Sequence, residues 1–237
     1  MQTTLAQFNE TQATDAFALQ NSKLLKIHLD QVTVQAKLGS MVAYQGDVTF
    51  EHAGSGGLGR MLKKAVTGEG TALMRITGAG EVFVADQAQD IHLIYLENDN
   101  ITVNGPNLLA FDAGIDWDIQ RLQGGAAGAM AGGLFNMHLS GTGWVAILSD
   151  GPPVLLNVAQ APTFADAQAA ITWSSGVTVG IKTDFKMKNL IGRGSGESIQ
   201  IAFSGQGWAL IQPSEGRVIP TTGGSSGGGG LGNLLNG

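Results

Sequence analysis

Cysteine is absent from this chain of 237 residues, and charged side chains make up only 14% of it, against about 25% in an average soluble domain. The missing cysteine excludes disulfides, thiolate catalysis and thiolate metal sites, and it suits a reducing compartment. Basic residues number 13 and acidic residues 19, which gives a net charge of −6. A protein that binds nucleic acid through its charge needs a basic field. The composition therefore argues against DNA as a partner and disfavours RNA.

Long apolar segments are also missing. The longest candidate, GGAAGAMAGGLF at 124–135, consists mostly of small residues, and it is shorter than the roughly 18–20 residues that span a bilayer as a helix. Residues 1–20 have neither the basic start nor the continuous apolar stretch of a secretory signal. We therefore expect a cytoplasmic protein that is at most peripheral to a membrane.

Proline is scarce, at 6 residues, whereas glycine is abundant, at 36. This combination favours tight turns between many short strands. Runs rich in β-branched and aromatic residues lie at 24–30, 32–36, 41–44, 47–52, 90–97, 100–103, 153–158 and 176–182. They predict an all-β fold, as a sandwich-like barrel or a double-stranded β-helix, in a single domain over residues 1–220. The Gly/Ser-rich tail at 221–237 is expected to be disordered.

One short pattern occurs three times along the chain. The copies are GEGTALMRITGAGEVFV (68–84), SGTGWVAIL (140–148) and SGQGWALI (204–211). Their Gly-x-Gly units begin at Gly78, Gly141 and Gly205, which are 63 and 64 residues apart. Apolar residues alternate with variable ones before each unit, as in a half-buried strand, and the glycines indicate a bend or bulge with positive φ. The near-equal spacing predicts three internal pseudo-repeats within one β-structure.

Residues 58–66, LGRMLKKAV, carry the clearest helical pattern, because apolar side chains recur at helical spacing and the basic ones lie off that stripe. The side chains expected to contact a partner or an anionic membrane are Leu58, Arg60, Met61, Leu62, Lys63 and Lys64. The alternative is a short amphipathic helix that plugs one end of the barrel and leaves its lysines in water. A second basic group consists of Lys182, Lys186, Lys188 and Arg193.

The motifs that suggest catalysis or a cofactor do not fit their surroundings. GSGGLG at 54–59 matches a dinucleotide fingerprint, but hairpin-like runs stand where such a site needs a βαβ unit. The histidines, which show no metal-ligand spacing, are His28, His52, His92 and His138. Asp112, Asp116 and Asp118 are a candidate carboxylate group, with a solvated acidic face as the simpler interpretation. We therefore predict no catalytic residue, no metal and no cofactor.

Two stretches carry a family resemblance: AKLGSMVAYQGDVTFEH (36–52) and GEGTALMRITGAGEVFVAD (68–86). Within them, GSMVAYQG and GEGTALMR resemble bacterial members of the altered-inheritance-of-mitochondria 24 family, and the resemblance runs from about residue 5 to residue 213. It implies a β-fold of the type found in the tryptophan RNA-binding attenuator protein, grouped with the double-stranded β-helices. The family has no agreed activity and no catalytic residues to transfer. Its eukaryotic namesake is associated with the organisation of the mitochondrial inner membrane.

These features together predict a non-enzymatic β-scaffold that self-associates and binds a partner or a membrane surface. Low charge and many strands leave sheet edges that pairing between subunits would cover, so we expect a homo-oligomer. Two alternatives stay open. One is a module of the attenuator-like fold that binds a small ligand or RNA, and the other is an enzyme with an unrecognised carboxylate site.

Overall fold

The computed structural model describes residues 3–52, 72–121, 135–182 and 200–214. The strands in this part of the chain are β1 (Phe17–Asn21), β2 (Leu24–Lys37), β3 (Met41–His52), β4 (Leu73–Val84), β5 (Asp90–Asn104), β6 (Leu108–Asp112), β7 (Asp116–Arg121), β8 (Phe135–Ser149), β9 (Val154–Asn157), β10 (Thr163–Asp166), β11 (Ala170–Ser174), β12 (Val177–Lys182), β13 (Gln200–Gly205) and β14 (Trp208–Ile211). Within the same residues the helical segments are two short 3-10 turns, Leu5–Phe8 and Gly105–Asn107. The predicted all-β fold class is confirmed. The predicted helix at 58–66 and the tail at 221–237 lie outside the described residues.

The strands form two sheets, and every pairing between described strands is antiparallel. The larger sheet has eleven strands in the order β3-β4-β2-β6-β8-β5-β11-β14-β9, with β1 added beside β2 and β7 beside β8. The smaller sheet has the order β10-β13-β12. Strands β3 and β9 therefore end the path of the larger sheet. The barrel or double-stranded β-helix, the three pseudo-repeats and the single domain over 1–220 remain predictions.

Three strands are longer than the sequence pattern predicts. β2 continues through Gln31 and β5 through Asn98, whose φ angles are 56° and 53°, and β3 continues through Gly46 at 97°. The pairing register shifts at the first two places. A residue with positive φ inside a paired strand makes a bulge, which bends the strand without ending it. The polar residues that looked like strand ends in the sequence are therefore bulges or bends.

The six glycines of the three Gly-x-Gly units all have positive φ, between 109° and 148°, as the sequence pattern predicts. β4 and β8 run through their units without a break, whereas the third unit separates β13 from β14. The first two units therefore lie inside one continuous strand each, and the third lies between two strands. At Gly80 the neighbouring strand also requires glycine, because a Cβ there would overlap the carbonyl oxygen of Gln45 on β3.

The core follows the period of two along the strands. Leu25 and Ile27 of β2 are fully buried on one face, and Lys26 between them points to the opposite face. Buried apolar side chains form three clusters, which contain Ile27, Phe111 and Phe203 respectively. The first cluster lies beneath the strands that position the charged residues described next.

Candidate functional site

An N-terminal arm, residues 3–16, precedes β1 and is held to the sheet by polar contacts. The side-chain amide of Gln20 accepts a hydrogen bond from the Thr11 N–H at 2.8 Å and donates one to the Asn9 carbonyl at 3.0 Å. Farther along the arm, the His28 N–H donates to the Ala16 carbonyl at 3.0 Å. The 3-10 turn of the arm has no buried residue. Hydrogen bonds to its main chain therefore fix the arm in place.

Lys26 lies beneath this arm and is only 4% exposed. Its Nζ is 2.8 Å from the Glu10 carboxylate, 3.5 Å from Glu81 Oε1, and donates to the Thr11 carbonyl at 3.0 Å. The hydrogen bond to Glu10 raises the pKa of Lys26 above its ordinary value, with help from the charge of Glu81 and against the opposing cost of burial. Lys26 is therefore a buried ammonium whose donors are directed at the arm.

Glu81 of β4 completes the group, which we call the Lys26 cluster: Glu10, Lys26, His28 and Glu81. Register places Glu81 directly opposite His28 of β2, and His28 Nδ1 lies 2.7 Å from Glu81 Oε1. The other oxygen, Oε2, is buried and has no hydrogen-bond partner among the described residues. The cluster can bind a carboxylate and a carbonyl oxygen through Lys26, and in this structure the arm supplies both.

A histidine and a serine also meet on β5 and β8, but they are not an activated nucleophile. His92 Nε2 lies 2.8 Å from Ser149 Oγ, and that hydroxyl donates to the Gly151 carbonyl at 2.7 Å. A hydroxyl has one proton, so the ring must act as donor to Ser149 and cannot remove its proton. Burial lowers the pKa of His92 despite the nearby Asp90, which favours the neutral ring. Ser149 is also fully buried, and the pair is structural.

The repeated Gly-x-Gly-Trp stretch has a specific structural reason. The Trp144 N–H donates to Asp112 Oδ2 at 2.6 Å, and the Trp208 N–H donates to Ser174 Oγ at 3.0 Å. In both places the preceding glycine leaves room for the acceptor, because a Cβ on Gly143 would come within 2.6 Å of Asp112 Oδ2, and one on the third unit's second glycine would overlap the serine hydroxyl. Each Gly-x-Gly-Trp thus receives an acceptor side chain from a neighbouring strand.

The three aspartates of the carboxylate group suggested by the sequence lie in different environments. Asp112 accepts a hydrogen bond from the Trp144 N–H. Burial raises the pKa of Asp112, although that hydrogen bond opposes the rise. Asp116 and Asp118 lie exposed on β7, opposite residues of β8. Within the described ranges, no group of three His, Cys, Asp or Glu side chains could hold a metal ion.

Exposed apolar side chains concentrate at the turn between β2 and β3 and at the start of β3. We call this group the β3 edge patch: Leu38, Met41, Val42 and Tyr44. Val42 is 61% exposed and Tyr44 49%, and the Tyr44 ring packs edge-on against Phe50 at 5.2 Å between centroids. Among the described strands β3 pairs with β4 alone. The patch therefore lies on the strand that ends the larger sheet among the described residues.

The contact residues that the sequence predicts, Leu58, Arg60, Met61, Leu62, Lys63 and Lys64, all lie outside the described residues, as do Lys186, Lys188 and Arg193. Lys182 is the last residue of β12. The hypothesis of a membrane contact through them stays a prediction. In the part of the chain that the structure describes, no helix is long and apolar enough to cross a membrane.

Sequence reasoning missed both the Lys26 cluster and the β3 edge patch. A lysine inside the alternating run at 24–30 is a weak signal, because its position indicates only the polar face of a strand. Glu10 lies in a segment without periodicity, so nothing in the sequence pairs it with Lys26. The run at 41–44 reads as an ordinary strand, because the pattern of one strand does not show whether it has one neighbour or two.

The fold and these sites define a class: antiparallel all-β proteins whose strands bend at Gly-x-Gly units. The family described as mitochondrial biogenesis AIM24 matches residues 17–214, and the chain belongs to this family, as the resemblance in the sequence indicates. An X-ray crystal structure of a protein from Streptococcus pyogenes is similar, with a TM-score of 0.68 and 22% identity over 84% of this chain and 92% of that chain. At this identity the likeness shows the fold alone. No curated protein matches the sequence.

Proposed function

We propose that this protein is a non-enzymatic β-scaffold that self-associates through the β3 edge patch. The observation that carries the proposal is the exposure of four large apolar side chains on or beside β3, which pairs with β4 alone among the described strands. Clustered apolar side chains of this kind mark association sites more often than single exposed ones do. An open edge also offers unpaired backbone N–H and C=O groups to a second chain.

The sequence of β3 lacks two of the devices that usually protect a sheet edge. It contains no lysine and no proline, although both residues commonly prevent edge-to-edge pairing. Its charged side chains, Asp47 and Glu51, come after the patch along the strand. Fully burying a large apolar side chain contributes about 1.5–3 kcal/mol, and contact with a second copy would supply a fraction of this from Val42 and Tyr44, which are 61% and 49% exposed. The edge is therefore better suited to pairing than to permanent contact with water.

Two further observations favour a scaffold over an enzyme. The Asp112 carboxylate and the Ser149 hydroxyl, which are the groups best placed to suggest catalysis, are both occupied by hydrogen bonds that stabilise the fold. The family description names a process, mitochondrial biogenesis, and no reaction. Contact of residues 58–66 with an anionic membrane would be a second role of the same scaffold and is a separate proposal from self-association.

Light scattering with a matched pair of variants tests the proposal. Val42 on β3 and Val32 on β2 are both exposed valines, but only Val42 lies on the strand proposed to pair, so Val42→Lys and Val32→Lys add the same charge on and off that edge. We expect the wild type to have a mass that is a multiple of 24.5 kDa at micromolar concentration. Val42→Lys should shift this mass toward the monomer, and Val32→Lys should leave it unchanged. A monomeric wild type, or equal behaviour of the two variants, would contradict the proposal.

A further inference from the structure

We propose that the surface beneath the N-terminal arm is a binding site for an extended acidic peptide of a partner protein, and that the arm of this chain occupies it in the free state. This surface consists of Gln20, Lys26, His28 and Glu81. It is distinct from the β3 edge patch, so the inference goes beyond the self-association proposed above.

The contacts of the arm show what the surface recognises. Most are made to the arm's main chain: Gln20 binds the Asn9 carbonyl and the Thr11 N–H, and Lys26 binds the Thr11 carbonyl. One arm side chain is bound by an ion pair, the carboxylate of Glu10, at 2.8 Å from Lys26. A peptide needs an acidic residue and the adjoining peptide groups to reproduce these contacts. This mode of recognition depends on the backbone and on one charge rather than on a long sequence.

The arm is suited to leaving the site. Leu5 and Phe8 are 62% and 69% exposed, so its large apolar side chains do not anchor it. Its polar contacts can be exchanged for the same contacts with another peptide at little net cost. These contacts are favoured by the covalent link of the arm to β1, which gives the arm a high local concentration at the surface. A partner peptide can therefore compete once that advantage is weakened.

The surface is also suited to receiving another acidic segment. Without the arm, Lys26 would keep only Glu81 at 3.5 Å as an ionic partner, and the Gln20 amide would lose both of its peptide partners. An ammonium ion can be buried only when carboxylate or carbonyl oxygens replace its water. The occupant that restores burial must bring a carboxylate followed by a carbonyl, as Glu10 and Thr11 do.

The test uses the full chain with Glu10→Gln, which weakens the arm and leaves the surface intact. Glu97→Gln, at an exposed carboxylate of β5, is the matched control. The probe is a fluorescent peptide with the sequence of residues 3–16, followed by anisotropy, together with hydrogen exchange of the Thr11 and His28 amides. We expect faster exchange at both amides in Glu10→Gln and peptide binding about tenfold tighter than to the wild type or to Glu97→Gln, because the competing arm is weakened.

Two further changes locate the binding. Adding Lys26→Met or Gln20→Ala to Glu10→Gln should each weaken peptide binding about tenfold, and so should glutamine in place of glutamate in the probe. Gln20→Ala keeps the test valid if Lys26→Met fails to fold. The proposal is overturned if the Thr11 and His28 amides of Glu10→Gln exchange as slowly as in the wild type, or if Glu10→Gln does not bind the peptide. It is also overturned if Lys26→Met and Gln20→Ala leave peptide binding unchanged. A mass of Glu10→Gln larger than that of the wild type, without added peptide, would also overturn it, because the occupant would then be the arm of another copy.

Discussion

The Gly-x-Gly units of β4 and β8 have the same backbone conformation, but different neighbours require it. In β4, Gly80 faces the backbone of β3, and in β8, Gly143 faces the side chain of Asp112. The residue that follows also differs: it is Glu81 in β4 and Trp144 in β8. Glu81 belongs to the Lys26 cluster, whereas Trp144 packs beside the first core cluster. The glycine spacing thus indicates where a strand bends. The residue after the second glycine determines whether the bend contributes to the charged cluster or to the core.

The largest effect expected from this comparison is the loss of stability in Gly80→Ala. The added methyl group would meet the fixed carbonyl of Gln45, and an L-residue with positive φ adds strain, so we expect a loss of about 3 kcal/mol or more. Gly143→Ala meets a side chain that can move away, and its loss should be about 1–3 kcal/mol. Urea unfolding measures both.

Gly180→Ala is the control for the glycine comparison, because a Cβ there meets nothing within 4 Å. Its effect should stay within about 0.5 kcal/mol. Equal losses in Gly80→Ala and Gly143→Ala would show that backbone strain alone, rather than the neighbour, sets the cost.

A smaller effect is expected when the acceptor beneath the tryptophan is removed. Asp112→Ala leaves the Trp144 N–H without its acceptor, which should cost about 1–3 kcal/mol in urea unfolding. Ser174→Ala should lie at the low end of that range, because its bond to Trp208 joins two neutral groups. Asp112→Asn retains an oxygen and should recover most of the loss, while Asp116→Ala on exposed β7 should change little. If the asparagine variant is as unstable as the alanine variant, the hydrogen bond is not the cause.

The smallest effect is a dependence on pH. Burial raises the pKa of Asp112 above its ordinary 3.8 in the folded protein, so the folded state holds that proton more tightly than the unfolded state does. The resulting stabilisation is fully present below pH 3.8 and is lost as the pH rises through the higher folded-state value. As the pH rises from about 3 to about 6, the midpoint of thermal unfolding of the wild type should therefore fall relative to that of Asp112→Asn.

The pKa shift of Asp90 predicts a pH dependence of stability that is opposite to that of Asp112. The hydrogen bond from Lys23 lowers the pKa of Asp90 below 3.8, so its stabilisation is present above pH 3.8 and is lost as the pH falls. Asp90→Asn should therefore lose stability relative to the wild type as the pH rises. Parallel curves for the two asparagine variants would be inconsistent with opposite shifts in the two pKa values.

The sequence was sufficient for the strand content and for the bends, because both depend on local patterns. Alternation identified most of β2 and β5, and the glycines indicated positive φ at 78, 141 and 205. The sequence pattern was misleading at Gln31 and Asn98, because a polar residue in a bulge has the same sequence signal as one in a turn until the partner strand is known.

The candidate site was less predictable, because its residues come from distant parts of the chain. Lys26 meets Glu81 through strand pairing and Glu10 through the path of the arm, and neither contact has a local pattern. The exposure of Val42 depends on where β3 falls in the sheet order, which is a property of the whole topology. The helix predicted at 58–66 has a local pattern, helical spacing, and it stays a prediction because it lies outside the described residues.

The order of strands in the larger sheet also determines how long a strand waits for its partner during synthesis. β5 pairs with β8 on one side and with β11 on the other, and β11 ends at Ser174, well after β5 ends at Asn104. Ribosomes add about 5–20 residues per second, so β5 waits roughly 4–14 s for its second neighbour during synthesis. The last strand of the path to be made, β14, ends at Ile211. The part of β5 that pairs with β11, residues 101–103, thus stays unpaired on that side while the ribosome makes the chain from β6 to β11.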